Sequence, residues 1–137
     1  MLIGLFPELD APGGVQRASR HMAAVMSEFA STRGMECRLI SLNDSPELHR
    51  MTLGEREFVF TGCDRAKGRF VATALRVARR KVKVVLAAHA NLGPLVQAMR
   101  VVAPRLILGD GAQFNGSVEP HHLEAALSVA RHRRAAR

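Results

Sequence analysis

Apolar positions along the chain alternate between two spacings, which predicts strands that alternate with helices. An apolar run at residues 2–6 predicts a first strand. Apolar residues then recur every three or four positions, which predicts a helix with one buried side. These residues are Val15, Ala18, Met22, Val25, Met26 and Phe29. Gly34 follows this stretch and predicts the end of the helix.

The middle of the chain continues the same alternation. Residues 37–42 predict a strand, and the turn residues from Asn43 onward predict an irregular polar stretch to about Arg56. A short strand is expected at 57–61 and a second helix at about 65–80. Residues 82–88 form an almost continuous apolar run, which is typical of a strand buried on both sides of a parallel sheet. We expect this strand to be the central one.

The last part of the predicted domain adds one helix and one strand. Gly93 and Pro94 open a helix that ends before Pro104, and a short strand follows at 105–108. The order β-α-β-β-α-β-α-β predicts an α/β fold: an open, mainly parallel Rossmann-like sheet with helices on both faces. This domain spans residues 1–108. Residues 109–137 are predicted to form a divergent tail, with turns at 109–117 and a terminal helix near 121–134.

Composition narrows the class of protein. A chain of 137 residues with 47% apolar residues has the size and content of one domain. Cys37 and Cys63 form no metal-ligand pattern. We expect neither a metal nor a cofactor. No secretory signal and no bilayer-length apolar run are present, which predicts a cytoplasmic protein whose membrane contact would be peripheral, on the inner face.

The net charge of +8 is unevenly distributed. Residues 1–64 hold six Lys and Arg against nine Asp and Glu, whereas residues 65–137 hold fourteen against three. No acidic residue lies between Asp64 and Asp110. An anionic membrane, a nucleic acid or a phosphorylated ligand would each fit this charge, and so would a merely solvated helix face. The absence of Trp and Tyr disfavours nucleic acid, most clearly single strands, which need rings for stacking.

Candidate site residues lie just after the predicted strands, because ligands of such sheets bind beyond the carboxyl ends of the strands. Three places qualify: Gly13 and Gly14 with Gln16 and Arg17, then Thr61 and Gly62, then His89 to Asn91. The first place joins glycine to a helix N-terminus, where free amides attract phosphate. It is not a GxGxxG or Walker motif, and an ordinary tight turn is the alternative. For His89 the alternative is a histidine that only fixes its loop.

Three motifs in this order resemble a known family. The residues Pro-Gly-Gly-Val-Gln-Arg at 12–17, the helix containing Arg69 and Phe70, and Ala-His-Ala-Asn-Leu-Gly-Pro-Leu at 88–95 are similar to the amino-terminal domain of retaining GT-B glycosyltransferases, the family-four group. The resemblance covers about residues 1–108. In that family two Rossmann-like domains face each other, the first mainly holding the acceptor and the second mainly holding the nucleotide sugar.

The resemblance implies roles for the candidate residues. Gly13 and Gly14 would lie beside the donor diphosphate, with Gln16 and Arg17 in the same phosphate-binding loop. His89, the candidate catalytic residue, and Asn91 would line the cleft near a glycan or lipid acceptor. The reaction implied is transfer of a hexose from a nucleotide sugar.

The chain also departs from the family. The second domain, with its paired glutamates, is absent from the 137 residues, and Leu108 and Gly109 stand where the family tends to have a His-Gly pair. We therefore expect little activity from this domain alone and a donor-domain chain as partner. A homodimer through the cleft face is a further expectation. The alternative function is a non-catalytic basic module that binds anionic membrane or nucleic acid.

Overall fold

The structure is a computed structural model that describes residues 1–80, 84–102, 107–110, 120–121, 123–125 and 128. In chain order the elements are β1 (Leu2–Phe6), α1 (Gly14–Thr32), β2 (Cys37–Ser41), β3 (Leu48–Leu53), β4 (Arg56–Gly62), α2 (Lys67–Ala78), β5 (Val84–Ala87), a 3-10 turn (Ala90–Leu92), α3 (Gly93–Val102) and β6 (Ile107–Asp110). None of the described helices is long and apolar enough to cross a bilayer.

The described strands form one open sheet in the order β3-β4-β2-β1-β5-β6. All neighbouring pairs are parallel except β3 with β4, which run antiparallel. This arrangement is Rossmann-like, and it confirms the predicted α/β class with a mainly parallel sheet.

Helices cover both faces of the sheet because β1 is apolar on both sides. Leu2 and Phe6 pack in the same cluster as the buried residues of α1. Ile3 and Leu5 belong to the opposite cluster, with the buried residues of α2 and α3. Successive side chains of a strand point to opposite faces, so an unbroken apolar strand needs two covering layers.

The direction of the chain reverses at β1, and this fixes where a ligand site can form. From β1 the chain moves through α1 to β2 on one side, whereas from β4 it crosses through α2 to β5 on the other side of β1. The loop after β1 therefore leads to α1 on one face of the sheet, whereas the loop after β5 leads to α3 on the other face. The Ala88 N–H donates to the Leu5 carbonyl over 2.9 Å, so the two loops start side by side. This is the switch point at which ligands of open α/β sheets bind.

The structure corrects the prediction of an irregular stretch from Asn43 to Arg56, since β3 occupies part of it. Exposed and half-buried residues alternate along β3. The strand was not predicted because several of its residues are polar, so the sequence shows no clear apolar alternation. The His49 ring stacks on Phe60 with centroids 4.6 Å apart, and Met51 packs against the α1-side core. β3 is thus a half-buried edge strand.

The structure also differs from the prediction at β5, α2 and β6. β5 is buried, as expected, but β2 and β1 hold the middle of the sheet. α2 begins at Lys67 and not at Arg65, because Asp64 and Arg65 have positive φ angles of 52° and 60°. β6 includes Gly109 and Asp110, which were predicted to begin the turns of the tail.

Part of the prediction cannot be compared with the structure. The rest of the predicted turns (111–117), residues 82–83 and 105–106 of two predicted strands, and the last residues (129–137) lie outside the described residues. The described residues of the predicted terminal helix are helical, and Leu123 is buried in the core on the α1 side.

Candidate functional site

The loop between β1 and α1 is held in place by a buried carboxylate. Asp44, only 7% exposed, accepts hydrogen bonds from the Leu9 N–H over 2.8 Å and from the Asp10 N–H over 3.1 Å. The buried Ser41 hydroxyl donates to the same carboxylate. Asp44 therefore connects the end of β2 to a loop that lies 35 residues earlier in the chain.

An arginine of α1 fixes the same loop from the other direction. The Arg20 guanidinium donates to the carbonyls of Leu9 and Ala11, each over 2.8 Å. Hydrogen bonds from a charged donor to backbone are stronger than neutral ones. Asp44 and Arg20 thus bind backbone amides and carbonyls of this loop. These bonds hold the loop without using the first amides of α1.

The N-terminus of α1 is left open. Gly13 occupies the N-cap position with φ 139° and ψ 161°, and no side chain caps the helix. Within the described residues, the amides of Gly14, Val15 and Gln16 have no hydrogen-bond partner. Gly13 and Gly14 are exposed, and Val15 is 64% exposed, so this predicted core position lies outside the core. Unpaired amides of a first turn carry partial positive charge.

Gln16 and Arg17 play different parts at this end of α1. The Gln16 side chain curls back over Gly13 and reaches the Glu8 carboxylate over 3.4 Å. Arg17 is exposed, and no partner for its guanidinium exists among the described residues. No acidic residue occupies the first turn of α1. A cation at the positive end of a helix is unfavourable unless an anion joins it.

His89 follows β5 on the other side of the switch point. Its Nδ1 accepts a hydrogen bond from the Asn91 N–H over 3.2 Å, and its ring is exposed. In the neutral ring the proton therefore lies on Nε2, which points a donor outward. This geometry favours a residue that orients an oxygen atom over one that removes a proton through Nδ1. The Asn91 side chain is also exposed.

The third predicted place, at Thr61 and Gly62, has a structural explanation instead. Gly62 is buried, and a Cβ there would overlap the carbonyl oxygens of Asp44 and Ser45. The glycine is thus required because two backbone segments approach closely, and it presents no surface to a ligand.

The structure puts two of the three predicted places, the open end of α1 and the His89 loop, after the neighbouring strands β1 and β5. Asp44, Ser41 and Arg20, which position the first of them, were missed. Asp44 lies in a cluster of turn residues, and nothing in the sequence marks it as buried.

An open depression of about 260 Å³ lies away from these loops, beside the C-terminal half of α1 and the turn between β3 and β4. Hydroxyl groups and three glutamates line it, and one of them, Glu28, is paired with Arg56. Because β4 begins there, the depression lies at the amino edge of β4, which is not the edge where ligands of such folds bind.

Neither cysteine contributes a nucleophile near neutral pH. Burial raises the pKa of the Cys37 thiol to about 12 and also raises the pKa of Cys63. The protonated thiol is a poor nucleophile and metal ligand. In the described part of the chain no three His, Cys, Asp or Glu side chains are grouped to hold a metal ion.

No family model, curated protein or solved structure matches the chain. The structure defines a Rossmann-like α/β fold in which the loop after β1 leads into an exposed, uncapped helix N-terminus.

The hydrogen bond of His89 allows a first prediction. Changing His89 to alanine leaves the Asn91 N–H without its acceptor and should lower the free energy of unfolding by about 1 kcal/mol. In His89→Asn the side-chain oxygen can still accept that bond, so its stability should stay within about 0.5 kcal/mol of the parent protein. Urea denaturation measures both values. Equal losses in the two variants would contradict the assignment of Nδ1 as the acceptor.

Proposed function

We propose that this chain is the acceptor-side, amino-terminal domain of a glycosyltransferase that transfers a hexose from a nucleotide sugar. In this proposal the diphosphate of the donor lies at the open N-terminus of α1, and His89 and Asn91 line the acceptor side of the same cleft. The donor's nucleoside is held mainly by a second domain or partner chain, as in the family that the sequence resembles.

The observation that carries the proposal is the uncapped N-terminus of α1. Unpaired amides, an exposed Arg17 and the lack of any acid in the first turn act in the same direction. A helix end normally acquires a capping side chain or an acidic residue. An anion could supply the missing negative charge. It could approach over Gly14, because the space beside this glycine is open: a Cβ there would meet nothing within 4 Å.

The chemistry follows from these groups. When the sugar leaves the donor, negative charge grows on the diphosphate, and amides already aimed at it stabilise that charge without rearrangement. The loop does not need to reorganise because Asp44 and Arg20 hold it. The Nε2–H of His89 would donate to an oxygen of the acceptor or the sugar and so fix its orientation. Arg17 would add its charge to the phosphate side.

The second prediction tests Gly14 directly. Gly14→Ala should fold with unchanged or higher stability, by up to about 1 kcal/mol, because alanine favours a helix and has free space here. The added methyl group would stand between the amides and a phosphate, so affinity for nucleoside diphosphates should fall at least about tenfold. A thermal-shift panel of nucleoside diphosphates and nucleotide sugars measures this, since a ligand at 100 times its Kd stabilises by about 2.7 kcal/mol.

Gly68→Ala is the matched control, because Gly68 lies in the first turn of α2 and also has open space around it. It should leave every ligand shift unchanged. A parent protein that no nucleotide stabilises would contradict the proposal, and so would a Gly14→Ala variant that binds as well as the parent.

A further inference from the structure

The side of the sheet covered by α2 and α3 carries charge of one sign. The exposed cations on α2, on its C-terminal turn and on α3 form what we call the basic face: Lys67, Arg69, Arg76, Arg79, Arg80 and Arg100. α2 and α3 pack side by side against the same core cluster. Since no acidic residue occurs between Asp64 and Asp110, neither helix can neutralise the other.

The cations of the basic face differ from most other described arginines in that they form no ion pairs within the described part of the chain. The arginines of the first 64 residues that form ion pairs do so with nearby glutamates: Arg33 with Glu124, Arg38 with Glu36, Arg50 with Glu57, and Arg56 with Glu28. Over the described ranges, no cation of the basic face has an ion-pair partner. Apart from Arg17 at the start of α1, the exposed positive charge that remains available to a partner is therefore concentrated on and beside the basic face.

Two of these cations lie where they oppose the stability of α2. Lys67 and Arg69 occupy the first turn, where the helix is already positive, and no acidic residue or capping side chain offsets them. At the other end of α2 Arg76 lies in the last turn, where a cation is favoured, so the conflict is confined to the first turn. Unfavourable placements of charge that no other residue of the chain offsets are typical of functional surfaces.

We propose that the basic face docks on a membrane surface rich in anionic lipid. The charge alone would suit any polyanion, and two further features select the lipid. The same two helices also expose apolar side chains, Val71 at 38% and Val101 at 83% exposure. Every phenylalanine in the described residues is buried, so the face has no ring on which a base could stack. Two helices lying on a sheet also present a broad surface that suits a planar array of headgroups.

The docking proposal is independent of the glycosyltransferase proposal, because it uses none of the residues at the N-terminus of α1. The test is co-sedimentation of the full chain with vesicles of phosphatidylcholine and phosphatidylglycerol, compared with pure phosphatidylcholine. The test variant is Arg76→Gln/Arg80→Gln. The control is Arg33→Gln/Arg56→Gln, which removes the same charge from two surface ion pairs next to α1.

We expect binding only to the anionic vesicles and a roughly 30-fold loss of affinity in the test variant, since each basic residue near such a surface contributes about fivefold. The control should bind as the parent does. Raising the salt from about 0.1 M to about 1 M, which shortens the screening length from about 10 to about 3 Å, should abolish binding. The test variant should remain folded, because Arg76 and Arg80 are exposed and form no ion pair with any described residue, and its melting temperature verifies this.

Three results would overturn the proposal. One is the absence of binding to anionic vesicles at low salt, and another is an equal loss of affinity in the test and control variants. The third is tighter binding of a short DNA duplex than of the anionic vesicles at the same salt, which would assign the face to nucleic acid.

Discussion

Gly62→Ala is expected to lower the free energy of unfolding by about 3 kcal/mol or more, a large part of the stability of a domain of this size. The new Cβ would lie well under 3.0 Å from the carbonyl oxygens of Asp44 and Ser45. These are backbone atoms, and no side-chain rotation can relieve the overlap. Asp44 would have to move, and with it the hydrogen bonds that hold the loop after β1. Thermal unfolding followed by circular dichroism should show a drop of roughly 10 °C.

Gly68→Ala is the control for this experiment as well. The same methyl group added at Gly68 meets no atom within 4 Å, and alanine is favoured in a helix by about 1 kcal/mol. It should therefore raise the melting temperature slightly. If Gly62→Ala melted at the parent temperature, the close approach of the chain after β4 to the chain after β2 would be wrong.

Asp44→Ala should cost about 3 kcal/mol, because it removes the acceptor of two backbone amides and of the Ser41 hydroxyl. Leu9 is fully buried, so water cannot easily replace the lost partner. Asp44→Asn retains one acceptor oxygen and should show an intermediate loss. Urea denaturation with a common slope gives these values.

The control for Asp44 is the neighbouring carboxylate that makes no such bonds. Asp10 is exposed, and Asp10→Ala keeps the backbone amide that donates to Asp44, so its effect should lie within about 0.5 kcal/mol. Equal losses in Asp10→Ala and Asp44→Ala would contradict the role of Asp44 in positioning the loop.

Much of the fold could be predicted because its strands are apolar on both faces and its helices on one. Leu2–Phe6 and Val84–Ala87 are unbroken apolar strands, and α1 shows a clear helical spacing. β3 could not be predicted, because only one of its faces is covered and its exposed positions are polar or charged apart from Leu48. Its alternation becomes visible only when β4 pairs with it.

The start of α2 was misplaced for a different reason. Asp64 and Arg65 adopt left-handed backbone conformations that most residues avoid. Hydrogen bonds from their amides to the carbonyls of Asp44 and Leu42 hold them there. Such tertiary contacts override local preference, and no local pattern in the sequence reveals them.

The sequence predicted where the candidate residues lie relative to the strands, but not which residues hold the loop after β1 in place. Strand ends locate Gly13, Gly14, His89 and Asn91 without any knowledge of packing. Asp44 and Arg20 acquire their roles only when the loop after β1 folds against them, and Gly62 proved to serve that same packing.

The central claim is that the unpaired amides at the start of α1 receive phosphate. Titration of the ¹⁵N-labelled protein with uridine and guanosine diphosphates tests it most directly by NMR. The account predicts that the amide signals of Gly14, Val15 and Gln16 shift most, saturate with ligand, and lose this response in Gly14→Ala. Saturating shifts that leave these three amides unmoved, or no shift with any nucleotide, would contradict it.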